Sequence, residues 1–63
     1  MSEQGVKIVV GERWIECFSE LPVVVDKVYT SEVHITWERD GLKSVLPRDF
    51  FEDLWFPAAL LER

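Results

Sequence analysis

PVVVDKVYTSEVHITWERDGLKSVL, residues 22–46, reads as three consecutive strands joined by two tight turns. Val33, Ile35 and Trp37 alternate with His34, Thr36 and Glu38, the two-residue period of a half-buried strand. Val23 and Val25 share one face, but the next apolar residue is Val28, three positions on. One inserted residue produces that step, so a β-bulge is expected near Asp26-Lys27. A turn is expected at Ser31-Glu32. Asp40-Gly41 suggests a two-residue type I′ hairpin. That register pairs Trp37 with Ser44 and Ile35 with Leu46, and sets Glu38 opposite Lys43 as an ion pair worth ~0.2–1 kcal/mol. It places Ile35, Trp37 and Leu46 on the core face.

Working outward, the flanks supply shorter elements. Met1–Gly5 is polar and expected to be disordered, and residues 6–57 are expected to form one domain. Val6–Val10 is a β-branched run ended by Gly11, a candidate first or edge strand. Arg13–Phe18 reads as the next strand, with Trp14 and Phe18 inward. Pro22 fits the start of a strand, where its missing N–H does least harm. After Leu46 the period changes. Pro47 suits a first helical position, and Phe50 and Leu54 stand at i, i+4. One or two turns of 3₁₀- or α-helix are therefore expected before a last short strand at Trp55-Phe56, which Pro57 should break. Residues 58–63 are a tail or a short C-terminal helix.

Size and charge narrow the function classes. A 63-residue chain is at most one domain, and at this size only about 60% of the unfolded chain's surface is buried. Cys17 is the single cysteine and His34 the single histidine, so neither a disulfide within the chain nor a Cys/His metal site is expected. The net charge of −5, with seven dispersed Lys and Arg, disfavours nucleic acid as a partner. No apolar run is long enough to span a bilayer and no basic leader is present. The expectation is a cytoplasmic, non-enzymatic protein without cofactor or membrane association.

The pattern resembles the small SH3-like (Tudor- or KOW-like) barrels common among short phage and mobile-element proteins. The residues that carry the resemblance are Gly11-Glu12-Arg13-Trp14, the bulged hairpin VVVDKVYTSEVHITW, Asp40-Gly41, and Leu46-Pro47-Arg48-Asp49-Phe50. The resemblance implies a mainly β fold, a five-stranded barrel with the helical turn before its last strand. It implies no particular activity. Nucleic-acid-binding relatives interleave basic and aromatic residues on one face, whereas Glu32, His34, Thr36, Glu38 and Lys43 are mixed. A nucleic-acid-associated KOW- or Tudor-like module, or an acidic protein that engages a nucleic-acid-binding host protein, is therefore the alternative to a protein-interaction module.

Five candidate sites follow from the residues. Tyr29 and His34 would be cross-strand neighbours across a Ser31-Glu32 turn, an exposed recognition pair or simply an aromatic–imidazole contact. Trp14, Tyr29, Trp37 and Phe50 would form an aromatic cage for a methylated amine if they converged, and core if they did not. Cys17, beside Glu16, reads as a structural thiol more than a nucleophile. Asp49 and Asp53 read as solvated helix residues. The largest surplus is C-terminal: Phe51, Trp55, Phe56, Leu60 and Leu61 exceed what so small a core easily buries, so this segment is the expected interface for a protein partner or a second copy.

Overall fold

The computed structural model describes residues 8–60. Five antiparallel strands form one sheet: β1 (Arg13–Glu16), β2 (Pro22–Val28), β3 (Glu32–Trp37), β4 (Lys43–Pro47) and β5 (Trp55–Pro57). Helix α1 (Arg48–Leu54) joins β4 to β5, and a 3₁₀ turn (Ala58–Leu60) follows. The strand order is β4-β3-β2-β1-β5. β4 and β5 are the two edges and are not hydrogen-bonded to each other, so the sheet is not closed.

The alternation in β2 and β3 sets the core. Val23, Val25, Val33 and Ile35 are fully buried with Trp14 and Phe51, and Ile8 and Trp55 complete the cluster. The bulge lies where the valine spacing places it: Val25 pairs with Ile35 and Lys27 with His34, leaving Asp26 as the extra residue. Behind β1, on the face opposite Trp14, Ile15 is buried beside the 3₁₀ turn that carries buried Ala58.

Several expectations are corrected. The described part of the run Val6–Val10 is not a strand, since Ile8 and Val9 are irregular and Val10 enters a turn; Val6 and Lys7 lie outside the described residues. The same holds for Met1–Gly5 and for residues 61–63. β1 ends at Glu16, and Phe18 is 79% exposed in the loop beyond it. β5 runs through Pro57, opposite Trp14. An edge strand tolerates proline there because one side of its backbone needs no partner.

Both hairpin turns differ from the expected ones. The first turn is Thr30-Ser31, since Val28 pairs with Val33 and the Tyr29 N–H donates to the Glu32 carbonyl at 2.8 Å. In the second, Thr36 pairs with Lys43 and Ile35 with Ser44, and the Trp37 N–H reaches the Leu42 carbonyl at 2.8 Å. The loop is therefore four residues, Glu38–Gly41. A type I′ turn needs positive φ at both central residues, but only Gly41 has it, at 76°. The shift of two residues preserves which side chains face inward, while exchanging every partner. Glu38 consequently pairs with Arg13 at 3.0 Å and Lys43 approaches Asp26 at 3.8 Å.

Pro47 is the N-cap of α1, with extended backbone (φ −58°, ψ 139°), and the helix begins one residue later than expected. Phe51, with Leu54 at i+3, forms its inner face and packs on Trp55, the first residue of β5. Phe51 is fully buried, whereas Phe50 is 46% exposed.

Candidate functional site

Two loops meet at one end of the sheet. The β1–β2 loop is drawn together by the Glu16 N–H to the Leu21 carbonyl (3.1 Å) and the Glu20 N–H to the Glu16 carbonyl (2.7 Å). Glu20 adopts φ of 62°, which side chains with a Cβ rarely occupy. The Glu16 carboxylate accepts from the Ser19 hydroxyl at 2.6 Å and the Ser19 N–H at 2.7 Å. Those bonds, the hydroxyl's first, hold the Glu16 carboxyl below its usual range. The neighbouring β3–β4 loop is tied to the first residue of β2, where this loop ends, by the Glu38 N–H donating to the Pro22 carbonyl at 3.1 Å.

Between the loops lies a cleft of about 240 Å³ lined by Leu21, Trp37, Arg39, Asp40 and Leu42. Trp37 forms its back wall. The Trp37 indole N–H donates to Ser44 Oγ at 3.0 Å, and the ring meets Trp55 edge-on at 6.2 Å, so its orientation is set from behind. Leu42 at the rim is 63% exposed and Phe18, in the same loop as Leu21, 79%. Pockets for whole small-molecule ligands run to roughly 300–1,000 Å³, so this cleft suits one or two side chains. Its chemistry is an apolar floor with one cation and one carboxylate on the rim.

The five sites expected from sequence fare differently. The Tyr29 and His34 rings do meet, at 5.0 Å and 61°. The shifted turn makes them diagonal neighbours rather than directly opposed, and diagonal spacing is within reach of aromatic rings. Glu32 holds His34 Nε2 at 2.8 Å. The aromatic cage does not assemble: Trp14 is in the core, Tyr29 lies against His34, and Trp37 and Phe50 each contact Trp55. Cys17 is exposed in the β1–β2 loop. Asp49 and Asp53 are exposed on α1.

The C-terminal surplus divides between core and surface. Phe51 and Trp55 stack at 5.4 Å and 16° inside the core. Phe56 is half-buried opposite Ile15, Leu60 is 56% exposed, and Leu61 lies outside the described residues. The Trp55 indole N–H is buried without a hydrogen-bond partner among the described residues.

Of the lining residues only Trp37 was a candidate from the sequence; Leu21, Arg39, Asp40 and Leu42 were missed, because the expected two-residue hairpin leaves no cleft beside Trp37.

A second depression, of about 260 Å³, lies at the bulge between Asp26, Lys27, His34, Lys43 and Val45. Three of its polar groups are already engaged: Asp26 accepts from Thr36 Oγ1 and faces Lys43, and His34 is held by Glu32. Among the described residues no cluster of three or more His, Cys, Asp or Glu is placed to hold a metal ion. No described helix is long and apolar enough to cross a membrane.

No protein family matches the chain, and neither characterised proteins nor solved structures yield a match.

Proposed function

We propose that this chain is a non-enzymatic protein-interaction module built on a small SH3-like barrel, and that it docks through the Trp37 cleft. The meander order, with β5 returning beside β1 and a helix between β4 and β5, supports the barrel reading. The bulge at Asp26 adds the local twist that curls a short sheet. The observation that carries the docking reading is the grouping of Leu21, Trp37 and Leu42 at one end of the sheet around a cleft with Arg39 and Asp40, Leu42 being 63% exposed. Apolar side chains grouped in this way mark interaction surfaces.

The interface is thereby moved from the C-terminal aromatic segment, whose two largest rings are needed by the core. The dispersal of cations favours protein over nucleic acid as the partner: Arg13 lies on Glu38, Lys43 near Asp26 and Arg48 on Glu52 at 3.1 Å. Affinity capture from the native cell, wild type beside Leu42→Asp, tests the reading. The expected result is a bound protein recovered by the wild type and lost by the variant, with the fold unchanged by circular dichroism. Equal recovery by both proteins would place the docking surface elsewhere.

A further inference from the structure

The cleft carries features that a one-sided docking site does not need. Beside its apolar floor it presents a knob, the 63%-exposed Leu42, and a rim with both signs of charge, Arg39 and Asp40, on adjacent residues of one loop. In a two-fold symmetric contact the same patch must supply whatever it receives: knob and hollow, cation and carboxylate. Leu42 and the floor at Trp37 meet the first requirement, Arg39 and Asp40 the second.

We propose that the occupant of the cleft is a second copy of this chain. Leu42 of each copy seats against Trp37 of the other, and Arg39 of each faces Asp40 of the other. The inference rests on the cleft being the docking surface. A specific interface needs roughly 1,200 Å² in total, about a seventh of each copy's 4232 Å² surface. A chain this short also gains from association, since its own core is small. The net charge of −5 on each copy opposes the encounter, but at about 0.15 M salt that repulsion is screened beyond ~8 Å, leaving the contact pairs to decide.

The test is sedimentation from about 10 µM to about 1 mM, a range that registers weak dimers, at about 0.15 M salt. The wild type is expected to dimerise with rising concentration. Arg39→Asp and Asp40→Arg are each expected to weaken the dimer about tenfold or more, because each sets like charges face to face twice. Mixed in equal amounts they should recover it, since every contact then joins opposite charges. In a half-labelled wild-type sample, nuclear Overhauser contacts between Leu42 methyls of one copy and the Trp37 ring of another give a readout that needs no variant.

A wild type that stays monomeric throughout overturns the proposal, as does a dimer indifferent to both variants, a mixture that fails to recover, or a dimer without Leu42–Trp37 contacts. A monomer whose capture of another protein is still lost in Leu42→Asp would sink the self-pairing alone and leave the docking surface standing. A monomer whose capture is unchanged in that variant would sink both.

Discussion

Glu20 sits at φ of 62° beside the cleft, and for an L-residue that backbone region costs about 1–2 kcal/mol, a cost glycine avoids. Glycine gives back roughly 0.5–1 kcal/mol through the greater freedom of its unfolded chain. Glu20→Gly is therefore expected to stabilise the fold by about 0.5–1 kcal/mol, and Glu20→Val to destabilise it, both read by urea unfolding. Next to it, Glu16 illustrates how a local carboxylate sets pH sensitivity. Its folded carboxyl is held down by Ser19, so the contribution to stability is present above the ordinary carboxylate value and is lost as pH falls through the lowered one. A carbon-detected NMR titration should find the Glu16 midpoint below the ordinary glutamate value. Ser19→Ala should raise it; an unchanged midpoint would mean the hydroxyl bond is not formed in solution.

At the scale of elements, α1 shows why one spacing can be read two ways. Phe50 and Leu54 are four apart, but Phe51 is three from Leu54 and four from Trp55, so either phenylalanine could define an inward stripe. Pro47 decides between them. Held in extended backbone at the end of β4, it delays the helix by one residue and turns Phe51 towards Trp14, 4.8 Å away, and Trp55. Phe51→Ala is expected to cost about 3–5 kcal/mol, the range for emptying an aromatic core site. Phe50→Ala, which leaves Trp55 one exposed neighbour short, should cost about 1 kcal/mol or less. Equal losses in thermal or denaturant unfolding would contradict this orientation of α1. The β3–β4 hairpin makes the parallel point for strands. Asp40-Gly41 is compatible with a two-residue loop, but the wider Glu38–Gly41 loop lets Glu38 meet Arg13 on β1 and opens the cleft beside Trp37.

For the whole molecule, the sheet leaves two edges, and each ends in proline: Pro47 on β4 and Pro57 on β5. Proline donates no backbone hydrogen bond, and Lys43 adds a charge at the start of β4, so these edges are poor templates for strand addition. What is left for association is side-chain surface, such as the exposed Leu42 beside the Trp37 cleft.

The two-residue period of β2 and β3, broken once by the valine spacing, determines by itself the core face, the bulge and the mainly β class. Such patterns are local, set by which side chains avoid water on a pleated strand. The register of both hairpins, the face of α1 and the burial of Ile15 behind β1 were decided only by the tertiary structure. Each depends on which distant side chain is available as a partner: Arg13 for Glu38, Ser44 for the Trp37 indole, Trp14 for Phe51. The cleft belongs to that second group. It exists because two loops, seventeen positions apart between Leu21 and Glu38, are joined at Pro22, and no local pattern in either loop encodes the meeting.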